Sequence, residues 1–251
     1  MIETAASIIV NVVSDFVFVA IVIVAGWVVF ATTRRTRLLS FYGLDASRRI
    51  VVYLSNLRVM SGGAIGIDSR RRSYQGSAGA FGEMHVATEF RDLFNYLVPS
   101  LSERPGLLSK LLISDVQVQL RPSPLSQGQI EPSCPFVTLG SPAYNAASGY
   151  VESQLNSKAR FVADGSAILV EDMEPLTDTT LGFVERIVDP ERSKRVFYAA
   201  GLSELGTIGA AHFLATQWAR LHRSYSDDTP FLVMLRFEPT NFRLWSVVFE
   251  R

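Results

Sequence analysis

One stretch limits every fold open to this chain. From Ile8 to Phe30 it reads IIVNVVSDFVFVAIVIVAGWVVF, 23 residues in which Asp15 is the only charge. Coiled as an α-helix at 1.5 Å per residue, the run is roughly 34 Å long, enough to cross a ~30 Å hydrocarbon core with modest tilt. Trp27 falls near its end, where an amphipathic ring prefers the interface. Arg34, Arg35 and Arg37 follow, against Glu3 alone on the amino side. That bias predicts a single-pass anchor in the cell inner membrane with the carboxyl-terminal part cytoplasmic. A cleaved signal peptide would carry its basic residues before the apolar run and small residues at its end, and neither order holds. A buried core helix is the alternative reading of the same run.

Ser7, Asn11 and Asp15 recur every four residues and share one helical face. Polar groups in hydrocarbon face a partner helix or water, so a homo-oligomer is expected, unless Asp15 lies shallow enough to reach headgroups.

Bulk composition removes several function classes. Lys and Arg total 24 and so do Asp and Glu, so no direct nucleic-acid partner is expected. The single cysteine, Cys134, excludes an intrachain disulfide and a cysteine-based metal cluster. His85, His212 and His222 have no zinc-like spacing, and no metal or cofactor is assigned.

The organisation predicted is an anchor over residues 1–37, a polar junction over 38–48 and one cytoplasmic domain over 49–251. Strands are expected at Arg49–Leu54, Leu111–Leu120, Phe136–Leu139, Ala159–Ala163, Ala167–Val170, Leu181–Val188 and Arg195–Ala200. Helices are expected at about Ala80–Leu97, from Ser141-Pro142 to about Ser153, and from about Gly206 to His222. FLVMLRF and FRLWSVVF, split by Glu238-Pro239-Thr240-Asn241, read as a closing hairpin. Strands alternating with helices predict a three-layer α/β domain with a mostly parallel sheet and a C-terminal antiparallel hairpin.

In such sheets ligands occupy the crevice beyond the carboxyl ends of the strands. The first strand exits into Ser55, Asn56 and Arg58, where an arginine could meet an anion and an amide could orient a polar ring. Phe136–Leu139 runs into Gly140-Ser141-Pro142, with Tyr144 and Asn145 in the next turn. Ser141 there reads as a helix cap, Pro142 as the first helical residue and Gly140 as the tight turn. RVFYAA runs into Gly201, Ser203, Gly206 and Thr207 at the start of the long helix, the two glycines permitting unusual backbone angles. These segments match neither G-x-G-x-x-G nor the P-loop, since no lysine follows to hold terminal phosphates. A strand-to-helix corner without ligand explains each loop by itself; two together point to a pocket for a nucleotide-like small molecule. Glu83 is the one catalytic candidate, with a solvated or arginine-paired glutamate as its plain alternative. Arg70–Arg72 read as a basic loop near phosphates, lipid headgroups or solvent.

YLSNLR, a downstream Gly-Glu on a helix, GSPAYN after a strand and AGLSELGT before a helix resemble Rossmann-like bacterial nucleotide-sensing and nucleotide-processing domains, of SLOG, TIR or nucleoside deoxyribosyltransferase type. The likeness covers about Arg49–His222 and its motifs are unspecific. It implies a membrane-anchored sensor or effector for a nucleotide, in stress or antiphage signalling. The TIR-like and transferase-like comparisons imply instead cleavage of an N-glycosidic bond in NAD or a nucleoside, with Glu83 as the acting glutamate. A membrane-tethered protein scaffold is the third reading.

Overall fold

The apolar run and the first residues buried in the domain core belong to one continuous helix. In the computed structural model, which describes residues 2–44, 48–56, 81–95, 116–124, 129–130, 134–189, 194–225 and 228–251, α1 extends over Ile2–Tyr42. Its stretch from Ser14 is long and apolar enough to cross a membrane, and the most apolar 18-residue part of it is almost uncovered by the rest of the protein. Phe16 is 77% exposed and Phe18 67%, which no water-soluble core helix would tolerate. Asp15 is also exposed, while the side chains of Ser7 and Asn11 lie outside the described residues.

Burial begins where the apolar run ends. Leu38, Leu39, Phe41, Tyr42 and Leu44, within the residues read as a polar junction, are all buried in the main core. Phe41 meets Phe197 at 5.2 Å between ring centroids, and Tyr42 meets Phe94 at 5.1 Å and Phe197 at 4.9 Å. The Tyr42 hydroxyl donates to the Leu214 carbonyl at 3.2 Å. Periodicity at residues 38–44 is short and flanked by arginines, so it looks polar in sequence although its apolar members all point one way.

Behind this helix stands a seven-stranded sheet in the order β2-β1-β3-β7-β6-β8-β9. Its strands are β1 (Arg49–Leu54), β2 (Gln117–Pro122), β3 (Phe136–Leu139), β6 (Leu181–Asp189), β7 (Lys194–Gly201), β8 (Phe231–Glu238) and β9 (Asn241–Glu250). β2, β1, β3 and β7 pair in parallel; β7–β6, β6–β8 and β8–β9 are antiparallel. The sheet is therefore mixed in equal parts rather than mostly parallel. The reason is local: only residues 190–193 separate β6 from β7 along the chain, too few for the helical crossover that a parallel pair needs. The expected carboxyl-terminal hairpin is present as β8–β9.

Both faces are covered, which is why β1 and β3 are nearly continuous apolar runs. On one face lie the end of α1, α2 (Phe81–Asn95) and α4 (Glu204–Ser224). On the other lie α3 (Ala146–Gln154) and a small hairpin of β4 (Ala159–Phe161) with β5 (Ile168–Val170).

Inside the first core sits a cation. Arg186 is fully buried, its guanidinium 5.4 Å from the Phe41 ring and 4.9 Å from the Phe231 ring. Its Nε and Nη2 donate to the Thr229 carbonyl at 3.1 and 2.6 Å. The end of α1 is thus part of the solvation of a buried charge.

A chain begun at Gly43 should accordingly aggregate or expose its core, whereas one begun at Thr32 retains Phe41 and Tyr42. Phe41→Ala should cost roughly 3–5 kcal/mol in the full chain. Urea unfolding in detergent, followed by circular dichroism, measures both, and a native-like midpoint for F41A would show that α1 merely lies against the domain.

Candidate functional site

Sheet topology marks the exits of β1 and β3 as the place where a ligand would bind. From β1 the chain passes over one face through α2 to β2; from β3 it passes over the other face through α3. The two strands therefore diverge at their carboxyl ends, at a topological switch point.

Three predicted residues meet there. The Ser55 backbone N–H donates to Glu83 Oε2 and its hydroxyl to Glu83 Oε1, both at 2.7 Å. Gly140 closes against them with φ +85°, and a Cβ at that position would stand 2.4 Å from Ser55 Oγ and 2.9 Å from Glu83 Oε1. Only glycine fits this corner, on both backbone and steric grounds. Gly140 also donates its N–H to the Ala199 carbonyl at 3.0 Å, which ties the exit of β3 to β7.

Glu83 is 5% exposed, in the first turn of α2. Burial is the largest influence on it and pushes its carboxyl up from 4.5 to about 7, against the two Ser55 hydrogen bonds that favour the ionised form. Glu204 adds a smaller upward push. The starts of α2 and α4 are in fact adjacent: a Cβ on Gly82 would stand 2.0 Å from Ile208 Cδ1 and 2.9 Å from Glu204 Oε1. A carboxyl of this kind can give or take a proton near neutrality.

Asn145 rather than Ser141 caps the following helix. Its Oδ1 accepts from the Ala147 N–H at 3.0 Å, and its Nδ2 donates to the carbonyls of Tyr53 at 3.1 Å and Leu139 at 2.7 Å. One fully buried amide thus holds β1, β3 and α3 together. Ser141 to Tyr144 form a turn instead of helix, the Ser141 carbonyl accepting from the Tyr144 and Asn145 N–H groups at 3.0 Å. A serine hydroxyl has one donor, and only an amide supplies the three bonds this corner requires. Asn56 donates its N–H to the Tyr144 carbonyl at 2.8 Å and its Nδ2 to the Ser123 carbonyl at 3.3 Å.

At the second loop, Ser203 caps α4 by accepting from the Gly206 N–H at 3.2 Å, and its hydroxyl donates to the Thr179 carbonyl at 2.6 Å. Thr207, buried, accepts from the Gly201 N–H at 3.1 Å. Gly201 and Gly206 adopt no positive φ, contrary to the expectation of unusual angles. Their role is close approach: a Cβ on Gly206 would stand 2.3 Å from the Leu181 carbonyl oxygen. β3 and β7 are neighbours, so both helix starts share one edge of the sheet. Arg58 and Arg70–Arg72 lie outside the described residues.

Glu204 was not legible as part of this corner, because nothing in the sequence reports that α2 and α4 touch. A second acidic group was also missed on the opposite face. Glu185 in β6 accepts from the Ser157 hydroxyl and, at 2.7 Å, from the Lys158 N–H. Glu152 accepts from the Tyr198 hydroxyl at 2.8 Å. Burial raises both carboxyls, that of Glu152 to about 7. Together they fasten the β4–β5 hairpin to α3 and the sheet. Among the described residues no group of His, Cys, Asp and Glu is arranged to hold a metal ion.

No family model, curated protein or solved structure matches this chain.

The raised Glu83 has a thermodynamic signature. The unfolded chain ionises it near 4.5 and the folded chain near 7, so the folded state binds the proton better between these values. Stability from the acid form is complete below about pH 4.5 and is lost as pH rises through about 7, a change on the order of 3 kcal/mol. Glu83→Gln should remove that dependence while keeping an acceptor for Ser55. Urea unfolding of both proteins from pH 4.5 to 8 measures the difference; parallel curves would place Glu83 in a more solvated setting.

Proposed function

We propose that this chain is a membrane-anchored α/β protein that binds a nucleotide or related phosphorylated small molecule in the crevice between the exits of β1 and β3. The observation that carries the proposal is the convergence of Ser55, Glu83 and Gly140 at the switch point, with the starts of α2 and α4 side by side. Crevices of this position suit polar ligands because helix starts present unpaired amides and a positive dipole end. Membrane attachment is supported by the uncovered apolar length of α1, and a cytoplasmic domain by the arginines that follow it.

A specific observation favours a second reading, N-glycosidic cleavage of NAD or a nucleoside. Glu83, raised to about 7, has the protonation behaviour of a general acid or base at neutral pH. Ser55, Asn56 and Asn145 are engaged in internal hydrogen bonds, so the chemistry would fall to Glu83 and a bound water.

Full-length protein in detergent, incubated with a panel of nucleotides and NAD, separates the readings. Saturable binding without turnover is expected of a sensor. Turnover that falls 10²–10⁴-fold in Glu83→Gln is expected of the enzyme. Neither binding nor turnover would remove both and leave a protein-binding scaffold. In cell membranes, before any detergent is added, the chain should resist carbonate extraction, and release into the soluble fraction would overturn the anchor.

A further inference from the structure

We propose that the cleft between the end of α1 and the last turns of α4 holds the phosphate of an anionic phospholipid from the leaflet that α1 enters. The proposal rests on the membrane-spanning assignment of α1. The cleft encloses about 370 Å³ and is lined chiefly by Phe30, Arg34, Arg37, Trp218, His222 and Arg223. That volume falls in the range of small-molecule sites, ~300–1,000 Å³.

Three arginines line this space, and among the described residues no carboxylate does. Elsewhere the same surface neutralises its arginines: Arg195 pairs with Asp228, Arg220 with Glu250 and Arg236 with Asp178. Among the described residues, Arg34, Arg37 and Arg223 pair with no acid. Convergent cations without a built-in counter-charge repel one another unless an anion enters between them. Guanidinium groups suit phosphate in particular, because their forked donors match its oxygens two at a time.

Trp218 supplies the floor. It is 3% exposed, and the Arg34 guanidinium lies 5.9 Å above its ring, an arrangement that holds the planar cation by its face and leaves its N–H edge free to donate. Arg223 is the informative member. Basic residues after an apolar span follow from topology alone, but Arg223 belongs to α4, far along the chain, and meets the α1 arginines only through the fold.

Depth selects a lipid over a soluble phosphate. Phe30, 58% exposed, closes the apolar run, and Arg37 lies about 10 Å further along the helix. A headgroup layer is ~5–8 Å deep on each side of the hydrocarbon. The cleft therefore spans the layer in which lipid phosphates sit, with Phe30 placed to meet an acyl chain. A soluble anion would make no use of that apolar wall.

The test uses the full chain in an uncharged maltoside detergent, with lipid retention read by native mass spectrometry. Phosphatidylglycerol should be retained at least tenfold better than phosphatidylcholine of the same acyl chains. Arg223→Gln, and Arg37→Gln with Arg223→Gln, should reduce retention to the phosphatidylcholine level. Arg223→Lys should fall between, having charge without the fork. Arg243→Gln, an equal charge loss at an exposed site on β9, should change nothing. Equal retention of the two lipids, or equal loss in R223Q and R243Q, would overturn the headgroup site. Competition by glycerol 1-phosphate at the same concentration as the lipid would also overturn it, assigning the cleft to a soluble anion. Since R223Q leaves α1 intact, it should resist carbonate extraction like the parent, so failure of the anchor reading is seen separately.

Discussion

Everything else in the protein depends on how the end of α1 enters the core. Phe41 is packed against Phe197 and Phe231 and contributes a ring face to the buried guanidinium of Arg186. A buried cation is costly, and part of its compensation here comes from Phe41, Phe231 and the Thr229 carbonyl. These groups come from α1, β8 and the turn before β8, so the charge binds the anchor to the far half of the sheet. Tethered domains usually hang from a flexible linker and reorient freely. Here the apolar helix runs without a break into the core, so a tilt of α1 must move the sheet or break the cluster.

Strand periodicity and turn chemistry made most of the elements legible: β1, β3, β6, β7 and the β8–β9 hairpin fall within a residue or two of where apolar runs and punctuation placed them. Pairing direction was less legible, because β6 and β7 are both buried and apolar whichever way they run. The α3 start was displaced because Ser-Pro is a good cap signal in isolation, while Asn145 wins through bonds to Tyr53 and Leu139 on two strands that local sequence cannot bring together. Gly140 was readable as a tight turn, and its φ agrees. Gly201 and Gly206 carry the same letter for a different reason, the contact of a helix start with strand backbone. Composition does not distinguish a glycine chosen for its torsion from one chosen for its missing Cβ.

The crevice at β1 and β3 is built with little slack. Asn145, Ser148, Ser203 and Thr207 spend their polar atoms on backbone groups of the strand exits and helix starts. Such saturation makes a rigid rim, and a rigid rim is what a selective pocket needs from residues that do not touch the ligand. Glu83 differs in kind. Its two acceptor bonds come from Ser55 alone, and its charge is opposed by burial and by Glu204. An anion placed beside it would favour the acid form further, and a cation or a polarised ring nitrogen would favour the carboxylate. Occupancy and protonation of this corner are therefore linked.

The helix α4 joins the two ends of the molecule. It begins at Ser203 and Glu204 in the crevice and ends with His222 and Arg223 in the cleft, a length of roughly 30 Å. Between these ends its buried side packs on the sheet, on α2 and on α1, with the Leu214 carbonyl accepting from Tyr42. Gly206 seats the first turn of the helix directly on the Leu181 backbone, and Gly209 lets the Phe237 ring lie against the next turn. Close-packed contacts respond to a displacement by shifting as a body or not at all. A ligand that moved the start of α4 would thus be felt where Arg223 faces Arg34 and Arg37, and lipid bound among those arginines would resist the same motion. By linkage, whichever way the two sites couple, each must alter the affinity of the other by the same factor. Coupling of that kind would be carried by one helix rather than by a path of side chains.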